Sequence, residues 1–187
     1  MPDRTEPQRY EGHKTNRLKT GLLVALLISG GMAFGQTEDE EAAAVVELGG
    51  AGEQSLKGAD SNFGPTIAVE VTPIENWLEL EGGVTSFFNH GKTEWDTDLL
   101  FKKPWTLSNN VEFMFGIGPE WVRTTSHGSV TNSVSGEVVL DFMFWPSSTH
   151  RIGWYLEPSY SYGFAREHEQ SLGVSAGLLI AIPKAGR

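Results

Sequence analysis

Carboxylates at alternate positions are the side chains in this sequence most suited to chemistry. Glu94, Asp96 and Asp98 follow one another at intervals of two, a spacing that also opens the calcium-binding loop of an EF-hand. The residues after them lack the glycine and the distal glutamate of such a loop, so we reject this motif. Alternate residues of a β-strand share one face, so a strand explains the spacing more simply and points all three carboxylates the same way.

The strand face that carries these three carboxylates has many more acidic than basic residues along the chain. In a confined space, uncompensated charges of one sign need water, cations or protons to relieve them. The acids assigned to this face are Glu47, Glu70, Glu79, Glu81, Glu94, Asp96, Asp98, Glu112, Glu120, Glu137, Asp141 and Glu157, and the bases are Lys92, Lys102 and Arg151.

Lys102 is the base that we expect to organise these acids. A tight hairpin over 88–92 places Lys102 opposite Glu79, and the next turn brings Glu112 close to it. We therefore predict that Lys102 pairs chiefly with Glu79 and Glu112. We predict no catalytic residue, no cofactor and no metal ion, and a polar core that comprises Glu79, Lys102, Glu112, Glu137, Asp141, Arg151 and Glu157.

Short segments of alternating apolar and polar residues position these side chains. Between residues 111 and 121 the odd positions are apolar or aromatic, and the even positions are small or acidic except for Met114. The first segment also suits the start of a helix, but an even strand number favours a strand. Eight segments separated by turn residues predict strands at 43–51, 63–72, 76–88, 92–103, 109–123, 132–145, 150–164 and 169–182.

The apolar faces of these strands have no second layer in the sequence to cover them. A closed sheet with its apolar face in lipid solves this, so the predicted fold is all-β, an up-and-down antiparallel transmembrane β-barrel. The predicted lipid-facing residues are Val111, Phe113, Phe115, Ile117, Leu140, Phe142, Phe144, Leu156, Leu178 and Ile180. The predicted interfacial aromatics are Trp95, Trp105, Trp121, Trp145, Trp154, Tyr160 and Tyr162.

The N-terminal segment has the features of a cleaved secretory signal peptide. Arg17 and Lys19 precede an apolar run over 22–28, and Ala33 and Gly35 supply the small residues that a signal peptidase requires. An inner-membrane anchor helix is the alternative. The predicted organisation is a signal peptide over 1–35, an acidic flexible segment over 36–42, a barrel over 43–183 and a C-terminal tail over 184–187.

Composition restricts the classes of partner and chemistry. The chain of 187 residues has 24 acidic and 14 basic residues, which argues against nucleic acid as a partner. It has no cysteine, so disulfides and cysteine metal sites are excluded. Its six tryptophans fit the aromatic girdles of a membrane barrel. Connections that are mostly longer at one end of the strands, the end away from the termini, fit the external loops of such a barrel.

In strand pattern, signal sequence and turns, the chain resembles the small eight-stranded outer-membrane barrels, the class of the OmpA transmembrane domain and OmpX. The resemblance implies an integral protein of the bacterial outer membrane with a structural or interaction role and at most narrow permeability. It implies outer-membrane lipids and lipopolysaccharide as partners, with Arg123 and Arg166 near lipid phosphates. Many such barrels end in an aromatic residue, whereas this chain ends at Arg187.

Three alternative functions follow from the same residues. The acidic face suits a small cation-preferring pore or transporter. Some outer-membrane lipid-A acyl hydrolases and transferases use His and Ser on a small barrel, and His127 lies beside Ser126, although no nucleophile motif is present. We therefore predict that the protein is not an enzyme. A soluble lipocalin-type barrel would need the aromatic face inside.

Overall fold

The computed structural model describes residues 42–58, 61–89, 91–147, 149–165 and 168–184. The predicted signal peptide and residues 36–41 of the acidic segment lie outside the described residues, as do residues 185–187. No helix in the described part of the chain is long and apolar enough to cross a membrane. The strands are β1 (Ala42–Ser55), β2 (Ser61–Ile74), β3 (Leu78–Asn89), β4 (Lys92–Ser108), β5 (Val111–Ser126), β6 (Ser129–Phe144), β7 (Ile152–Gly163) and β8 (Gln170–Pro183).

The eight strands form a closed antiparallel barrel. Each strand pairs with the strands before and after it in the chain, and β1 pairs with β8. This confirms the predicted up-and-down barrel, including the first strand. Because the strand number is even, β1 begins and β8 ends at the same end of the barrel, which we call the terminal end. The distal end carries the β1–β2, β3–β4, β5–β6 and β7–β8 connections.

Two of the distal connections, β1–β2 and β5–β6, are much shorter than the sequence predicts. Residues 52–55 and 124–126, assigned to loops, extend β1 and β5 instead. Only His127 and Gly128 then link β5 to β6, and both have positive φ (49° and 80°), as a two-residue hairpin turn requires. The predicted contrast between long distal and short terminal connections is wrong, because polar side chains do not prevent the backbone from pairing.

The outer face of the barrel is apolar through its middle section. Leu48, Leu99, Phe115, Leu140 and Leu178, from five different strands, have exposed fractions between 36% and 55%. This arrangement contradicts the lipocalin alternative, which needs the large apolar side chains inside. We call this surface the outer belt.

The height of the outer belt can be read from β8. Its exposed apolar positions run from Leu172 to Ile182. Ten steps of about 3.3 Å along a strand tilted by about 40° span roughly 25 Å along the barrel axis. That height matches the apolar band of about 25 Å on outer-membrane barrels.

The inner face changes from apolar to charged along the barrel axis. At the terminal end, Met114, Met143, Trp145, Tyr155 and Leu179 pack together, each at most 3% exposed. We call this group the terminal plug. An eight-stranded barrel has an interior only just wide enough for side chains, so these residues fill much of the lumen at this end. Most lumen carboxylates lie in the middle and the distal half, although Glu112 lies beside the plug.

Candidate functional site

Lys102 lies at the centre of the lumen and is 1% exposed. Its Nζ forms an ion pair with Glu81 of β3, and lies 2.8 Å from Oδ2 of Asp141 on β6 and 2.7 Å from Oε2 of Glu157 on β7. Oε2 of Glu70 on β2 is 3.8 Å away. One ammonium group on β4 therefore draws together carboxylates from four other strands. We call these five residues the Lys102 cluster.

The predicted partners of Lys102 are wrong. Glu79 is opposite Lys102 in the β3–β4 register, as the hairpin suggests. However, the ion pairs of Lys102 among the described residues involve neither Glu79 nor Glu112. Strands tilt in a barrel, so residues at one height are staggered between neighbouring strands. The long Lys102 side chain therefore reaches Glu81, two residues beyond Glu79, and then crosses the lumen.

The Lys102 cluster and the neighbouring Glu47 together carry more negative charge than one lysine can neutralise. Carboxylate oxygens of Glu47, Glu70, Glu81 and Asp141 all lie within 4.8 Å of one another. Oε1 of Glu47 and Oδ1 of Asp141 are buried without a hydrogen-bond partner. The Lys102 ammonium already lies among these carboxylates, so it is the cation of this group.

Two members of the predicted polar core, Arg151 and Glu137, lie outside the Lys102 cluster. Arg151 is exposed in the connection before β7, which begins at Ile152, and is not buried in the lumen. Its assignment to the polar core is wrong. Glu137 lies on the inner face of β6, where it lines a cavity together with Glu157.

Trp145 is also in a different place from the one predicted. It is 3% exposed in the terminal plug, and its Nε1 donates a hydrogen bond of 3.2 Å to Glu112. The interfacial assignment is wrong because Trp145 continues the inward alternation of Asp141 and Met143 beyond the end of β6. This alternation can be read from the sequence, and applying it to residue 145 would have placed Trp145 in the lumen.

The other predicted interfacial aromatics do not enter the plug. Trp95, Trp121 and Trp154 are exposed by 48–49% on the outer face. Trp105, Tyr160 and Tyr162 are half-buried.

The predicted lipid-facing residues alternate with buried lumen residues along their strands. Phe115, Ile117, Leu140, Leu156 and Leu178 are exposed. The others are half-buried, and several of them pack on outer neighbours: the ring centroids of Phe113 and Phe142 are 5.0 Å apart, and those of Phe144 and Trp154 are 3.9 Å apart. The half-buried residues are Val111, Phe113, Phe142, Phe144 and Ile180.

A cavity of about 60 Å³ extends from the Lys102 cluster into the distal half of the lumen. No lysine or arginine is among the described residues that line it. The sequence prediction missed Glu53, because residues 52–55 were assigned to a loop. The carboxylates that line the cavity are Glu47, Glu53, Glu81, Asp96, Asp98, Glu120, Glu137 and Glu157.

His127, which suggested an enzyme, and two other histidines of the described residues lie in turns. His127, His150 and His168 all have positive φ, a conformation in which histidine is enriched among non-glycine residues. Nδ1 of His127 lies 3.0 Å from Oγ of the adjacent Ser126, on the exposed distal turn. The other two rings stack on aromatic residues, His150 on Trp145 and His168 on Tyr162. Each histidine is thus accounted for by its turn.

Solved structures share this barrel, although no protein-family model and no curated protein matches the sequence. Neisserial surface protein A matches with a TM-score of 0.59 and 15% identity, over 74% of this chain and 96% of that one. The N-terminal β-barrel domain of Pseudomonas aeruginosa OprF gives 0.53 and 13%, over 75% and 100%. Ail, the attachment invasion locus protein of Yersinia pestis, gives 0.50 and 12%, over 75% and 98%.

The chain has the fold of the small outer-membrane barrels. The resemblance inferred from the sequence is thereby confirmed at the level of fold. At 12–15% identity the similarity shows the closed eight-stranded architecture alone.

Proposed function

We propose that this protein is an integral barrel of the bacterial outer membrane with a structural or interaction role. The observation that supports it best is the outer belt, which is apolar over about 25 Å and surrounds a charged lumen. In water this surface would be an aggregation liability, whereas lipid covers it at no such cost. The proposal includes export through a cleaved signal peptide.

The partners in this proposal are outer-membrane lipids and lipopolysaccharide. Arg123 is exposed near the distal end and lies opposite the exposed Trp95 in the β4–β5 register. An arginine beside an interfacial aromatic can direct its guanidinium to lipid phosphates while its stem remains on the apolar surface. Arg166, the second predicted phosphate contact, lies outside the described residues.

We also propose that the lumen has at most narrow permeability. The terminal plug and the buried Lys102 cluster argue against the alternative of a cation-preferring pore. We also propose that the barrel has no catalytic role: the contact between Ser126 and His127 lies exposed on the distal turn.

Membrane fractionation tests the proposal. Outer and inner membranes are separated by density, and the outer membranes are washed with urea, which removes peripheral proteins. We expect the protein in the outer-membrane fraction after the wash, and we expect it to require detergent for release. Recovery in the soluble periplasmic fraction would overturn the proposal.

A further inference from the structure

Three carboxylates converge in the distal half of the lumen, apart from the Lys102 cluster. One oxygen from each of Glu53 on β1 and Glu94 and Asp96 on β4 lies within 4.8 Å of the other two. Calcium binds carboxylate oxygens at 2.3–2.6 Å, so three oxygens no more than 4.8 Å apart are close enough to contact one divalent cation.

One oxygen of Asp96, in this group of three carboxylates, has no hydrogen-bond partner. That oxygen is Oδ1, and Asp96 is 5% exposed and lines the acidic cavity. Oδ1 of Asp98, also on the cavity wall, has no partner either. A buried carboxylate without a hydrogen bond is costly unless a cation or a proton reaches it.

Lys92 does not supply the missing charge. Its Nζ lies 2.8 Å from Oε2 of Glu94, and its side chain is 41% exposed, so it is at the rim of the lumen. Oγ1 of Thr124 donates a second hydrogen bond, of 2.7 Å, to the same oxygen. These two neighbours hold Oε2 of Glu94, and Nδ2 of Asn62 donates a longer hydrogen bond of 3.5 Å to its Oε1. Oδ1 of Asp96 has no such partner and is left to another cation.

The cavity has room for the remaining ligands of an ion. Its volume of about 60 Å³ corresponds to roughly four water molecules. Calcium takes six to eight oxygen ligands and commonly completes its shell with water. We propose that the distal lumen binds one divalent cation between Glu53, Glu94 and Asp96, with cavity waters as its other ligands.

Calorimetric titration of calcium chloride into the full-length protein, extracted in detergent and freed of metal with a chelator, tests this site. We expect saturable binding of one ion, and weaker binding of magnesium. Asp96→Asn should lower the calcium affinity about tenfold or more because it removes a charged ligand. Lys92→Met should raise the affinity severalfold, because it removes a cation that competes for Glu94 and leaves the three ligand residues unchanged.

Glu112→Gln is the matched control, since it removes a lumen carboxylate at the terminal end. We expect it to leave the calcium affinity unchanged within about twofold. Without calcium, Asp96→Asn should melt at a higher temperature than the wild type, and calcium should narrow that difference. Absence of saturable calcium binding would overturn the proposal, and so would an equal loss of calcium affinity in Asp96→Asn and Glu112→Gln. Retained outer-membrane location in that case would leave the proposed function standing.

Discussion

Lys102 connects five strands through a single side chain. Its contacts to Glu81, Asp141 and Glu157 are buried, so each carboxylate would remain in the lumen if the ammonium were removed. Loss of one partner of a buried ion pair is far more destabilising than replacement of both. Lys102 thus contributes to stability mainly because its positive charge offsets the repulsion between the carboxylates around it.

A double-mutant cycle tests this arrangement. Lys102→Met should lower the free energy of unfolding by about 3–5 kcal/mol. Combined with Asp141→Asn, it should cost less than the sum of the two changes, with a coupling of about 1–3 kcal/mol. The measurement is urea unfolding of the protein folded in lipid vesicles.

Glu79 provides the control for this cycle. The same cycle with Glu79→Gln should be close to additive, because Glu79 faces Lys102 in register but forms no ion pair with it. A larger coupling with Glu79 than with Asp141 would contradict the observed geometry.

The inward direction of the lumen residues could be predicted from the sequence, but their partners could not. Two-residue alternation assigns Lys102, Glu81 and Asp141 to one face because side chains of a strand alternate. Partner choice depends on strand tilt and stagger, which a pattern of single residues does not encode. Distances across the lumen, as between β4 and β6, are set only when β1 meets β8.

At the scale of elements, the strands could be predicted and their ends could not. Alternation is clear in the middle of each strand, where the outer residues are apolar. It fades in residues 124–126, which are polar on both faces yet still pair with residues 129–131. Around the β5–β6 turn the strands therefore continue as paired residues where the sequence predicted a loop.

Two residues on the outer face of β6 allow a matched test of the outer belt. Leu140 is 40% exposed in mid-strand, and Val130 is 48% exposed beside the distal turn. Leu140→Arg should cost about 2–4 kcal/mol in the membrane, and Val130→Arg only about 0–1 kcal/mol. The yield of folded barrel in outer membranes, measured by its resistance to added protease, should fall for Leu140→Arg alone. Equal yields would count against a belt in lipid.

At the scale of the whole molecule, the barrel is a closed cylinder with charge inside and apolar residues outside. The terminal plug fills much of one end, and the acidic cavity occupies the distal half. Alternation predicted which face is inside, but it did not reveal the plug, because Met114, Met143 and Tyr155 resemble ordinary strand residues until closure brings them together.

Conductance in planar bilayers tests the plug. We expect little current through the wild type, since the terminal plug fills a lumen that is already narrow. Combining Met143→Ala with Trp145→Ala should increase the current, and the current should favour cations because carboxylates line the path beyond the plug. Reversal potentials in a salt gradient give the selectivity, and anion preference would show that the lumen charges are wrongly assigned.

The central claim is that the outer belt lies in lipid, and spin-label accessibility tests it most directly. The chain has no cysteine, so a nitroxide can be attached at Leu140→Cys, with Val130→Cys as the reference on the same face. In lipid vesicles, the label at 140 should collide often with oxygen, which concentrates in the bilayer, and rarely with a water-soluble nickel complex. The label at 130 should show the reverse. Equal access of the nickel complex to both positions would contradict the account.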